Sequence, residues 1–388
     1  MSQKHSILLF IKYYLPGYKA GGPVQTIANM VNAIGDRYLF YLVTSDRDVG
    51  DETPYSGISH KTWTNMGNAF IRYLAPNEQN FSSYKSIIHE TRFDLVYCQS
   101  FFDPLFTIIP LFALALSSKR NIPVLLAPRG EFAKGALAHK AFKKQIYSFL
   151  FKAVSIHLLH YSFQCSSKDE KNNLTDRLGK KLKVFTALDF NSQEHVDAQF
   201  ADSQPQNALR LVLLARIDIQ KNIDYAIRLL GRIKIPITFD IFGNSFDEHY
   251  AQECLNLANQ MPEHVHVSFK GSLPHFLVLQ TLQKYDLFFM PTKNENFGHV
   301  IHEALLAGLP ILISDRTPWH ELESRKAGWE IPLDEPDRFI KVLEQFSSFT
   351  SEQRVQMRHA ALQYGIDVSN DQHTLQDNIH MFESLLQA

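Results

Sequence analysis

The sequence predicts an α/β protein with two Rossmann-like domains, each built on a parallel sheet and facing the other across a cleft. Three observations predict it. Short apolar runs alternate with helical stretches along the whole chain, as they do where strands are buried on both faces of a parallel sheet. At 388 residues, 45% of them hydrophobic, the chain is too long for one ordinary core and rich enough for two. A polar stretch without sustained periodicity, NSQEHVDAQFADSQPQN at 191–207, divides the runs into two series and has the composition of a linker. The expected division is therefore 1–190 for the first domain, 191–207 for the linker and 208–365 for the second domain. A helix at about 366–388 is expected to pack back on the first.

Taken in order, strands are expected at SILLFIK (6–12), YLFYLVT (38–44), DLVYCQS (94–100) and PVLLAP (123–128), then at 158–165 and 184–187. The second series runs LRLVLLA (209–215), ITFDIFG (237–243), HVHVSFKG (264–271), DLFFMP (286–291) and PILISD (310–315). The long apolar stretch at 105–116 carries Pro110 and is shorter than a bilayer span, so it reads as a buried helix. The loop at 46–68 shows no pattern that assigns it.

Composition narrows the function. The net charge is −1, from 39 basic and 40 acidic residues, so no global field draws the chain to nucleic acid. Cys98, Cys165 and Cys254 are scattered without metal-ligand or redox spacing and read as reduced thiols. The apolar run at 7–11 is too short for a signal peptide, so a cytoplasmic protein is expected, touching a membrane at most from its inner face.

The densest chemistry lies in NENFGHVIHE, where Glu295 and Glu303 stand eight residues apart. They follow a strand and flank a glycine-bearing loop that opens a helix. This is the arrangement in which parallel sheets present polar sites at their strand ends. Glu303 is expected about two turns into that helix. Gly298 lets a ligand approach the backbone, and the helix start favours negative charge. Two acids beside such a start suit a ligand with hydroxyls and phosphates, as a nucleotide sugar has. His299 and His302 fall inside the same motif, and no histidine pair has metal-ligand spacing.

Arg216 and Lys221 lie just beyond the first strand of the second series, placed to bind a diphosphate, or else to form a solvated turn. Gly21 and Gly22 open the first helix and suit close approach of phosphate or sugar, or a plain strand-to-helix turn. Arg129, Gly130 and Glu131 emerge from an apolar strand; their charges are costly to bury, so they are expected in solvent or facing the cleft, near donor phosphate or an acceptor. Lys134, Lys140, Lys143, Lys144 and Lys152 decorate an apolar helical stretch and read as a solvated face, or as a surface held against anionic lipid or an acidic acceptor.

Together these segments resemble family 4 glycosyltransferases of the GT-B fold. LLARIDIQKNID resembles that family's Gly-Arg-Leu…Lys-Gly segment, DIFGN its glycine-ended strand, VSFKGSLP its Phe-x-Gly turn, and PTKNENFGHVIHEALLAGLPIL its Glu-x7-Glu signature. The resemblance implies that Glu295 contacts the donor sugar and Glu303 the ribose, while Arg216 and Lys221 hold the diphosphate opposite Gly21 and Gly22. Gly243, Asn296, Phe297, Gly298 and His299 join the donor side. It also implies retention at the anomeric carbon, no metal or other cofactor, and a saccharide or lipid-linked acceptor, in surface polysaccharide, capsule or lipopolysaccharide assembly. The chain departs from the pattern at three places. Arg129-Gly130 stands where His-Gly is usual, Asn222 where Gly follows the lysine, and Ala187-Leu188-Asp189 where Asn-Gly is common. A nucleotide-sugar epimerase of the same fold and a non-catalytic sugar-nucleotide-binding subunit are the competing readings. A nicotinamide enzyme is not supported, since no G-x-G-x-x-G follows the first strand.

Overall fold

The computed structural model describes residues 4–133, 137, 141–153, 155–190, 192, 195, 197, 208–245 and 247–387. Most of the stretch 191–207, and Lys134 and Lys140, lie outside them. The chain divides into two compact units, Met1–Phe190 with Gln372–Ala388, and Asn191–Asp371. Each is an α/β layer structure on a parallel sheet.

The sheet of unit 1 contains β1 (His5–Phe10), β2 (Tyr38–Ser45), β3 (Thr64–Met66), β4 (Ala69–Leu74), β5 (Leu95–Gln99), β6 (Val124–Ala127), β7 (Tyr161–Cys165) and β8 (Lys183–Thr186). Their order is β3-β4-β2-β1-β5-β6-β7-β8, parallel throughout except for the β3–β4 hairpin. The central strands β5 and β6 are buried at every position, which is why they read from sequence as apolar runs, with Gln99 at the end of β5 the one polar residue. Helix α1 (Gly22–Ile34) covers one face. Helices α2 (Phe81–Glu90), α3 (Ile109–Ala115), α4 (Ala141–Ala153) and α5 (Lys168–Leu178) cover the other.

Unit 2 holds β9 (Leu209–Leu214), β10 (Ile237–Phe242), β11 (Val265–Gly271), β12 (Leu287–Met290), β13 (Ile311–Ser314) and β14 (Gly328–Ile331). All are parallel, in the order β11-β10-β9-β12-β13-β14. Their helices are α6 (Ile223–Leu230), α7 (Glu248–Ala258), α8 (Val278–Leu282), α9 (His299–Leu306), α10 (Pro336–Ser347) and α11 (Ser351–Ser369). The order reverses at β9, so the loops after β9 and β12 part there and leave the crevice in which open α/β sheets bind ligands.

The last helix, α12 (Gln372–Leu386), belongs to unit 1. Its buried Met381, Phe382 and Leu385 join the α1 face of that core, with the Phe382 ring 5.4 Å from Tyr38 and 5.9 Å from Tyr97. Asn378 ties it down through hydrogen bonds with Gln164 and the Leu188 carbonyl.

The stretch expected as one helix at 105–116 begins as a wider π-helical turn at Pro104–Ile108 and becomes α-helical only from Ile109. Phe112 and Leu116 face outward. Strands β3, β4 and β14 were not expected.

Candidate functional site

The site is best defined where β9 and β12 end. After β9 the chain turns through Arg216 to Asn222; after β12 it runs from Pro291 to Gly298 before α9 begins. Backbone and side-chain bonds fasten the two loops together. Lys293 N donates to the Gln220 carbonyl (2.8 Å), Thr292 Oγ1 donates to the same carbonyl (2.8 Å), and Asn222 Nδ2 donates to the Pro291 carbonyl (3.0 Å). On the far side Glu295 N donates to the Arg316 carbonyl (3.0 Å), so the β13 loop holds it as well.

On this scaffold the Lys221 ammonium and the Glu295 carboxylate form an ion pair, each side chain only 15% exposed. The opposite charges satisfy each other where solvent is scarce. Arg216, on the same loop as Lys221, is half exposed and lies 3.5 Å from Asp218. Gly298 caps α9 in the left-handed region at φ 80°, with neither a side-chain cap nor an acid in the first turn. A Cβ at Gly298 would sit 2.8 Å from Glu295 Cγ and 2.9 Å from Ile301 Cδ1. The glycine therefore makes room for the Glu295 stem as well as for the turn.

Glu303 is the fifth residue of α9, little more than one turn in rather than two, because the helix starts only at His299. Its carboxylate meets His275 Nε2 at 3.0 Å. His275 lies in the turn after β11 and was not singled out in the sequence. Its place just past a strand's carboxyl end was the available signal. Phe297 also differs from expectation. Its ring is core, packed 5.4 Å from Trp319, and its carbonyl accepts from Trp319 Nε1, so only its backbone is on offer to a ligand. Asn296 and His299 on either side are partly exposed. His302 is structural. It is buried, bonded to the Gly365 carbonyl at 3.0 Å and stacked on Trp319, and burial pulls its pKa down to about 4.

Gly243 follows β10 directly at φ 148°, and a Cβ there would fall 1.8 Å from the Ala215 carbonyl oxygen. Only glycine lets β10 pass this close to the residue that precedes Arg216. Asn222, one of the three departures from the pattern, occupies a left-handed conformation at φ 58°. Asn tolerates that region better than most side chains, so it can stand where glycine is usual and also donate to Pro291.

In unit 1, Gly21 caps α1 at φ 69° and Gly22 is its first residue, with no side-chain cap and no acid in the first turn. A Cβ at Gly21 would meet nothing within 4 Å. Arg129 and Glu131 are committed to partners inside this unit, where an open face was expected. The Arg129 guanidinium pairs with Asp189 and donates to Gln99 (2.8 Å) and to the Tyr97 hydroxyl (3.0 Å). The two remaining departures from the pattern, Arg129 and Asp189, are thus partners of one another. Glu131 accepts from Ser100 Oγ (2.7 Å) and from the Phe101 and Phe102 amides (2.6 and 3.2 Å). Burial pushes its pKa up even so. A charge inside a unit is tolerated only when paired or bonded, and both residues have found that solution.

Residues 197–364 match the family described as Glycosyl transferases group 1. An uncharacterized 41.2 kDa protein in the cps region of Klebsiella pneumoniae is 23% identical over 289 residues, 69% of this chain and 74% of that protein. Among solved structures, Anabaena Alr3699/HepE in complex with UDP and glucose superposes with a TM-score of 0.63 at 13% identity, covering 99% of this chain and 100% of that one. WaaG, a glycosyltransferase involved in lipopolysaccharide biosynthesis, gives 0.59 at 14% identity, covering 96% and 98%. The two parallel-sheet units resemble GT-B glycosyltransferase structures, and the group 1 match falls on the unit that carries Arg216, Lys221, Glu295 and Glu303.

Proposed function

We propose that this chain is a retaining, metal-independent glycosyltransferase of family 4. It moves a sugar from a nucleoside diphosphate to a saccharide or lipid-linked acceptor on the cytoplasmic side of surface polysaccharide assembly. The observation that carries the reading is the Lys221–Glu295 pair at the sheet's switch point, with Arg216 on the same loop and Glu303 in the helix that follows. A donor entering there replaces one ion pair with two contacts. Lys221 turns to the diphosphate, and Glu295 is released to the sugar hydroxyls. Arg216 adds a second cation, and the uncapped start of α9 adds a positive dipole end. Glu303, oriented by His275, accepts from the ribose hydroxyls.

In the reaction the bond from the anomeric carbon to the leaving phosphate oxygen breaks, and the bond to the acceptor oxygen forms on the same face. The acceptor's proton passes to the departing phosphate. Negative charge grows on the diphosphate in the transition state, where fixed cations and dipoles are most effective. The setting in capsule or lipopolysaccharide synthesis rests on the Klebsiella cps-region relative and on the likeness to WaaG.

A thermal-shift screen of nucleotides and nucleotide sugars finds the donor, since a ligand at about a hundred times its Kd adds about 2.7 kcal/mol. Calorimetric titration of Glu295→Gln and Glu303→Gln then tests the division of labour. Glu303→Gln is expected to weaken both donor and free nucleoside diphosphate, and Glu295→Gln the donor alone, because a contact absent from a ligand adds nothing to its affinity. Equal loss of nucleotide affinity in both variants overturns the assignment.

A further inference from the structure

Helix α4 of unit 1 is inside out for a surface helix. Its inward side is Tyr147, Ser148 and Phe151; Phe151 is fully buried, with its ring 4.9 Å from both Phe101 and Tyr161. Its outward side carries Phe142 at 75% exposure, Ile146 at 45%, Phe149 at 70% and Leu150 at 50%. At about 100° per residue these four share one sector of the helix, about 100° wide. Lys143 lies about 20° beyond one edge of that sector and Lys152 about 60° beyond the other, both exposed. Helices of water-facing surfaces put charge there. Large apolar side chains gathered on one exposed face mark a surface that something covers.

The charge of this region indicates what covers it. No Asp or Glu occurs between Glu131 and Asp169, although the chain as a whole is nearly neutral. Beside the apolar sector opens a cavity of about 430 Å³ lined by Gln145, Ser148, Phe149, Lys152, Ala153 and Arg177. Two cations over an aromatic wall suit a phosphate that continues into an acyl chain. Lys144, by contrast, is turned inward, its ammonium 5.1 Å from the Phe102 ring centre. Among the described residues no helix is long and apolar enough to cross a membrane, so this helix would lie in the interface plane rather than span it.

We propose that α4 docks unit 1 on an anionic lipid surface, with Phe142, Ile146, Phe149 and Leu150 among the acyl chains and Lys143, Lys152 and Arg177 on the lipid phosphates. Cations on both sides of an apolar face match a bilayer, whose headgroups flank whatever is inserted between them. The inference stands apart from the identity of the transferred sugar and from the roles assigned in unit 2.

Flotation of the full chain with vesicles tests it. Phosphatidylcholine vesicles are compared with vesicles that also contain phosphatidylglycerol, using wild type, Phe142→Ser with Phe149→Ser, and Lys143→Gln with Lys152→Gln. The wild type is expected to float with the mixed vesicles at least tenfold more than with the neutral ones. Each double variant should lose at least tenfold of that binding, since one cation near an anionic surface contributes about fivefold. All substituted positions are exposed, so thermal melts of the variants should overlay the wild type. Equal binding to neutral vesicles, or binding undiminished by the Phe substitutions, overturns the proposal. So does a wild-type dimer in light scattering that the Phe substitutions convert to a monomer, which would mean a second copy covers the face.

Discussion

Lys221 and Glu295 are a structural pair and, on the proposed reading, two halves of the donor site, and a double-mutant cycle separates these duties. In Lys221→Met the Glu295 carboxylate, 15% exposed, is left without its counter-ion. Stranding a fully buried charge costs about 3–5 kcal/mol, and the remaining solvent access lowers the figure to about 2–4 kcal/mol. Glu295→Gln leaves the ammonium facing an amide that still accepts a hydrogen bond, and should cost less. The double variant Lys221→Met, Glu295→Gln strands no charge, so the coupling between the sites is expected at about 1.5–3 kcal/mol. Urea unfolding followed by tryptophan fluorescence measures it, since Trp319 and Trp329 both lie in unit 2. Turnover should behave otherwise. Each side chain is proposed to touch the donor, so each single variant should lose on the order of 30- to 1,000-fold in rate. The double variant should regain stability and none of this activity. Recovery of turnover alongside stability would show that the pair only braces the loops, and a coupling under about 0.3 kcal/mol would show that it is not a pair in solution.

Other outcomes are as open to measurement. Gly298→Ala forces a Cβ into the Glu295 stem at a positive φ, so a loss of about 1–3 kcal/mol in thermal unfolding is expected, with a fall in kcat; unchanged values for both would remove the glycine from its positioning role. His302, held neutral with its pKa drawn down to about 4 from 6.5, contributes stability that is complete above pH 6.5 and is lost as pH falls toward 4. The amount is about 3 kcal/mol, and His302→Gln should flatten that acid slope in unfolding titrations at pH 7, 5.5 and 4.5. Turnover is expected to survive excess chelator, and activity lost in chelator and restored by a divalent ion would contradict the cation-and-dipole account of the leaving group.

What could be read in advance followed from burial. Strands such as β6 and β12 are apolar at every position because both faces are covered, and runs of four residues bounded by proline or aspartate suit a strand of a parallel sheet better than a helix. β14 escaped notice because GWEI lies at the sheet edge and buries only Gly328 and Ile331. The loop chemistry was legible as residue types at strand ends, not as partnerships. Lys221 and Glu295 are 74 residues apart and Arg129 and Asp189 are 60 apart, and only the order of strands brings each pair together. Charged triplets such as Arg129-Gly130-Glu131 carry no mark of whether a partner waits inside the unit. In α4 the apolar residues are too many for one stripe, so periodicity alone does not tell which face turns inward.

The return of α12 to the first unit has a consequence for how the chain is made. Unit 2 is contiguous and holds its whole core once Asp371 has left the ribosome. Unit 1 emerges earlier, yet the apolar surface around Tyr38 and Tyr97 waits for Phe382 and its neighbours. At about 5–20 residues per second the wait lasts on the order of 10–40 s. During that interval a chaperone or a neighbouring nascent chain has access to a hydrophobic surface that the finished protein conceals. The part of the molecule translated first is therefore the last to be sealed.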